Sequence, residues 1–246
     1  MIVVLTLGRS GSSLVMQTLK HLGADVFGAT FNADPSQSHI ALNPKGYFED
    51  GVLYAKGLRS KAFEHLKKRD DPSVAFKTDL RNFVDQSATE LWQNARADIS
   101  CVLVSIRIPC EQARSETMDL AGSEGEYGSP RRARIEELSL SGSFLKTYRQ
   151  SFEALQTLLE GDLDAYRDCT FAVDYAQART DPNAYVKRIA DCAGLDANPQ
   201  ACARAAANIE TALYRNKETD LRETQGIWAR QTGAQSAYEK IKVHLG

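Results

Sequence analysis

Cysteine is scarce in this chain: 5 of 246 residues, at positions 101, 110, 169, 192 and 202, with no C-x-x-C pair and no histidine at metal-ligand spacing. A set that is odd in number and scattered offers neither a disulfide framework nor a zinc site, and reads as reduced, mostly buried thiols. Cys101 and Cys169 fall inside expected strands as small hydrophobes. Charge of one sign is missing too. The 30 basic and 32 acidic residues nearly cancel and form no long block, which excludes the strongly basic face of a nucleic-acid binder. The N-terminal apolar run is too short to span a bilayer, has no basic flank, and leads into a loop instead of a cleavage site. A cytoplasmic, soluble protein is therefore expected. No repeat or low-complexity tract divides the chain, and residues 1–246 read as one domain whose last part, 196–246, is mostly helical.

What is present starts at the amino terminus. Ile2-Val3-Val4-Leu5-Thr6-Leu7 is an apolar run that breaks into Gly8-Arg9-Ser10-Gly11-Ser12-Ser13. Leu14, Val15, Leu19 and Leu22 then recur at roughly helical spacing, with Gly23 as a stop. This is strand, loop, helix. Glycines let successive N–H groups turn inward around an oxyanion, and the following helix adds the positive end of its dipole. A P-loop NTPase would show G-x-x-x-x-G-K-[ST]; here Gly8 and Gly11 are three apart and no lysine follows. An ordinary ATPase or GTPase is disfavoured, and a plain strand-to-helix turn remains the alternative to an anion site.

Further strands are expected at 73–76, running out at Lys77-Thr78-Asp79, at 99–106 and at 169–173. Helices are expected at 52–68, 85–95, 109–120 and 182–192, the last capped by Gly194, with one or two more over 131–159 broken near Ser141-Gly142-Ser143. The stretches 28–48 and 121–130 read as loops, the first long enough to suggest a function. Alternating strands and helices imply an α/β fold of three layers, a mainly parallel central sheet flanked by helices. Ligands bind such folds at the carboxyl ends of the strands.

Four segments, taken in order, resemble sulfotransferases that use 3′-phosphoadenosine 5′-phosphosulfate (PAPS), in particular a bacterial branch with a P-loop-like fold. Gly8-Arg9-Ser10-Gly11-Ser12-Ser13-Leu14 is similar to that family's R-S-G-[ST]-[ST]-L loop for the 5′-phosphosulfate. Arg107-Ile108-Pro109, with Ser115 eight positions after Arg107, is similar to the R-x-P-x(5)-S element that grips the 3′-phosphate. Phe171-Ala172-Val173-Asp174-Tyr175, Asp181-Pro182 and Ala193-Gly194-Leu195 resemble the late strand, D-P turn and FLGL helix. Asn43-Pro44-Lys45-Gly46-Tyr47-Phe48-Glu49 and Phe76-Lys77-Thr78-Asp79-Leu80-Arg81 resemble the PKGYFE and KDPR segments. The likeness covers roughly residues 1–195; Ala193 replaces an aromatic, Leu80 replaces the KDPR proline, and no C-terminal G-x-x-G-x-x-K follows.

The resemblance implies transfer of a sulfuryl group from PAPS to a hydroxyl or amine of a small molecule, lipid or carbohydrate. Positioning and electrostatics carry such chemistry, so cations and N–H donors belong at the leaving phosphate. Gly8, Arg9, Ser10, Gly11, Ser12 and Ser13 are then expected to bind the 5′ end of the cofactor, and Arg107 and Ser115 the 3′-phosphate. Arg114 is the weaker neighbour. The plain readings are a solvent-facing Arg9 after a strand, an Arg107 at a sheet edge and an ordinary helix serine at 115. Lys77 resembles the family lysine near the bridging oxygen, while Asp79 and Arg81 can simply pair with each other. Glu49 is the expected general base, with His39 as runner-up and a helix-dipole role as the plain alternative. No metal is required, because arginine and lysine supply the positive charge. A divergent nucleotide-dependent kinase and a non-catalytic nucleotide-binding protein remain as competing readings.

Overall fold

The computed structural model describes residues 1–28, 48, 73–115, 143–196, 198–209, 226 and 229–246. Four strands, β1 (Ile2–Thr6), β2 (Ala75–Asp79), β3 (Cys101–Ile106) and β4 (Thr170–Asp174), form one sheet in the order β2-β1-β3-β4. All pairings are parallel, with Val4 opposite Lys77 on one side and Leu103 on the other. β1 and β3 are buried at every position, as their largely apolar sequences, broken only by Thr6 and Ser105, require of strands covered on both faces.

Strand alternation divides the core in two. Ile2, Val4, Ala75, Cys101, Leu103 and Val173 point to one face, where α1 (Ser12–His21), α7 (Pro182–Ala193) and α8 (Pro199–Ala207) cover them. Val3, Leu5, Phe76, Val102, Val104 and Ala172 point to the other. That face is covered by α2 (Leu80–Phe83), α3 (Thr89–Ala95), the helical residues 109–115 (α4), α5 (Ser143–Glu160) and α9 (Ala234–His244). The result is the expected three-layer α/β architecture. α5 buries Leu145, Tyr148, Phe152, Leu155 and Leu159, a stripe at three- and four-residue steps. Phe83 packs on Trp92 with ring centroids 4.6 Å apart and planes tilted by 40°, and meets Tyr166 edge-on at 5.8 Å.

Caps set the helix ends where the sequence signals them. Asp174 caps α6 (Tyr175–Thr180), Asp181 caps α7 ahead of Pro182, and Asn198 caps α8 ahead of Pro199. Gly194 ends α7 in the left-handed conformation.

Three boundaries differ from expectation, each for a local reason. The strand expected from Ser73 begins at Ala75, where the ladder with β1 starts opposite Ile2, and it ends at Asp79 opposite Thr6. The helix expected over 85–95 opens as a 3-10 turn, Gln86–Ala88, capped by the Asp85 side chain, before α3, and an unexpected short helix, α2, capped by Asp79, precedes it. Cys169 belongs to a 3-10 helix, Asp164–Cys169, whose end precedes β4. The helix expected over 52–68 and the loop 121–130 lie outside the described residues.

Candidate anion-binding site

The chain passes from β1 to β2 on one side and then to β3 on the other, so β1 and β3 are the neighbours at which strand order reverses. α/β sheets place ligands at the carboxyl ends of strands where their order reverses in this way. Residues 7–11 leave β1 at this end. Arg9 (φ 59°) and Gly11 (φ 94°) both take left-handed conformations around Ser10. Glycine accepts this without strain, whereas a side-chain-bearing residue gives up about 1 kcal/mol, so Arg9 must be held by its surroundings.

Those surroundings come from β3 and α4. Arg9 Nε donates to Ser115 Oγ at 3.3 Å, and Arg107 Nη1 donates to the Arg9 carbonyl at 3.4 Å. Ser10 is almost completely buried; its hydroxyl lies 3.0 Å from Thr6 Oγ1 and its carbonyl accepts from Ser105 Oγ at 3.1 Å. The fold thus brings positions 9, 10, 11, 107 and 115 together, although the two groups stand about a hundred residues apart in sequence.

Arg107 is only 6% exposed, and its Nε donates to the fully buried Glu111 Oε2 at 3.2 Å, one helical turn on. Its guanidinium carbon lies 4.9 Å from the centre of the Tyr175 ring. Tyr148 closes the back of the site by donating its hydroxyl to the Arg107 carbonyl at 3.1 Å. Burial pushes the Tyr148 hydroxyl well above its ordinary pKa, so it stays a donor. Tyr175 presses against Gly11: a Cβ there would collide with its ring, 2.8 Å from Cε2 and 2.9 Å from Cγ.

Lys77, 2% exposed, is buried within β2 and by alternation shares the α1 face of the sheet with Ala75. Asp79 and Arg81 do pair with each other, through two contacts of 2.8 and 2.7 Å, while Asp79 Oδ1 also caps α2. Phe48 is buried in the α1-side cluster with φ 55°. Glu49, His39 and Tyr47 lie outside the described residues.

Glu111 and Gln112 went unread in the sequence. The former had a signal, an acidic residue four positions after a strand-end arginine on a helix; Gln112 had none. A further network ties the C-terminal helix to β4: Asp174 Oδ2 accepts from Tyr238 OH at 2.7 Å and Lys242 Nζ at 2.9 Å.

Two guanidiniums, the Ser115 hydroxyl and the amides of a left-handed turn make a donor set suited to phosphate. Burial raises the Cys101, Cys169 and Cys192 thiols, so they are poor nucleophiles at neutral pH. Among the described residues no three His, Cys, Asp or Glu side chains cluster as metal ligands, and no helix is long and apolar enough to cross a membrane. The chain matches no protein-family model and no curated protein.

Proposed function

We propose that the chain is a sulfotransferase that moves a sulfuryl group from PAPS to a hydroxyl or amine by in-line displacement. The observation that carries this reading is the convergence of Arg9, Arg107 and Ser115 on the glycine loop where β1 and β3 diverge. These are the positions at which the sequence resembles the family's 5′ and 3′ phosphate elements. A donor with phosphates at both ends of a nucleoside needs two cationic grips side by side, and the two arginines supply them. The loop amides with Ser10, Ser12 and Ser13 would hold the 5′ end. Arg9 would stabilise charge on the leaving phosphate, and Lys77 would act near the bridging oxygen, as the resemblance implies. Glu49 would take the acceptor's proton. Arginine and lysine meet the charge requirement without a metal. The reading takes the protein to be cytoplasmic.

Calorimetry with 3′-phosphoadenosine 5′-phosphate, ADP and ATP tests the cofactor. Selective binding of the first is expected, with Arg107→Ala lowering its affinity about ten- to a hundredfold, as loss of a charged hydrogen bond dictates, and ADP affinity far less. Equal losses for both nucleotides, or magnesium-dependent preference for ATP, would overturn the assignment in favour of a kinase.

A further inference from the structure

Four consecutive carbonyls of the loop are taken by side chains of one segment. Leu7 O and Gly8 O both accept from Gln112 Nε2, the latter at 2.6 Å. Arg9 O accepts from Arg107 Nη1 at 3.4 Å and Ser10 O from Ser105 Oγ at 3.1 Å. The next carbonyl, of Gly11, accepts from the amides of Leu14 and Val15 at 2.9 and 3.3 Å as α1 begins. In a trans peptide the N–H points opposite to the C=O that precedes it. Drawing the carbonyls of residues 7–10 toward β3 and α4 therefore turns the amides of residues 8–11 away from that segment. Among the described residues, the amides of Gly8, Ser10 and Gly11 donate to no other group.

Gln112 contributes two of these bonds from a fully buried position, and its Oε1 has no donor among the described residues. A buried amide that leaves its acceptor unsatisfied carries a desolvation cost, and its donor end is what offsets that cost. Hydrophobic packing alone would be served by an apolar side chain of the same length.

We infer that Gln112, with Ser105 beside it, is a positioning residue for the anion loop: by pinning the Leu7, Gly8 and Ser10 carbonyls it keeps the loop amides preorganised for phosphate. This rests on the phosphate-cradle reading above. Neither side chain is placed on the ligand; both act through the backbone, so that a phosphate meets amides already aimed and does not have to order them.

The test uses the full chain, Gln112→Met, which keeps length and removes both donors, and Ser105→Ala, which removes one. Amide ¹⁵N relaxation of residues 8–12 without ligand reads the loop directly, and calorimetry reads affinity for 3′-phosphoadenosine 5′-phosphate. Order parameters of about 0.85 are expected in the parent, falling toward roughly 0.6 in Gln112→Met. Affinity should drop roughly 10- to 100-fold in Gln112→Met and about 2- to 10-fold in Ser105→Ala. Parent-like loop order and affinity in a folded Gln112→Met overturn the inference, and if that variant does not fold, the same result in Ser105→Ala does so. A parent that binds no nucleotide while its variants still loosen the loop supports the positioning role and refutes the PAPS reading instead.

Discussion

Replacing Gly11 by alanine combines two costs that the structure separates. At φ 94° and ψ 12° the residue occupies a left-handed conformation, which disfavours an L side chain by about 1–2 kcal/mol. The added methyl would also lie 2.8 Å from Tyr175 Cε2 and 2.9 Å from Cγ, well inside contact distance, so the ring must move. Tyr175 is not free to move at no cost, because the Arg107 guanidinium sits 4.9 Å from its ring centre, and forced overpacking of this kind costs typically about 1–3 kcal/mol. Gly11→Ala should therefore lose roughly 2–5 kcal/mol of folding stability, read by urea denaturation of parent and variant. Tyr175→Ala removes the obstacle but leaves the backbone cost. In the double variant the two losses should fall short of additivity by about 1–3 kcal/mol. Strict additivity, or a Gly11→Ala chain as stable as the parent, would refute the packing of Tyr175 on the loop.

Other outcomes follow from neighbouring residues. Glu111→Ala strands the buried Arg107 charge, whose side chain and that of Glu111 are 7% and 0% exposed; it should cost about 3–5 kcal/mol in denaturation, and Glu111→Gln clearly less. Glu49→Gln should leave PAPS affinity near the parent value while turnover falls on the order of 10²–10⁴-fold. A normal rate there beside a collapse in His39→Ala would move the base to His39. Burial lifts the Cys101 thiol far above its ordinary range, so at pH 8 it holds almost no thiolate; mass spectrometry after alkylation should find Cys101 unmodified in the native chain and modified in denaturant.

Much of the architecture was legible in short stretches of sequence. Ile2–Leu5 and Cys101–Val104 are apolar without interruption, and only strands covered on both faces bury such runs completely. The start at Pro182 and the stop at Gly194 are chemical facts of single residues, and the helix obeys them. β2 is less plain in sequence, because its end, Lys77-Thr78-Asp79, is polar. The place of these residues in the ladder depends on β1, 73 positions away by the pairing of Val4 with Lys77, and local composition carries no trace of that partner.

The site divides along the same line. The sequence by itself determined the glycine loop, the arginine that leaves β3 and the serine eight positions on, because turn conformations and helical periodicity are local properties. Tertiary structure alone decided that Arg9 meets Ser115 and Arg107, that Glu111 neutralises Arg107 inside the core, and that Gln112 holds the carbonyls of Leu7 and Gly8. These contacts exist because β1 and β3 are neighbours in a parallel sheet whose order is set by how both faces are buried. Hydrogen bonds between segments about a hundred residues apart become definite only once packing has fixed the two strands side by side.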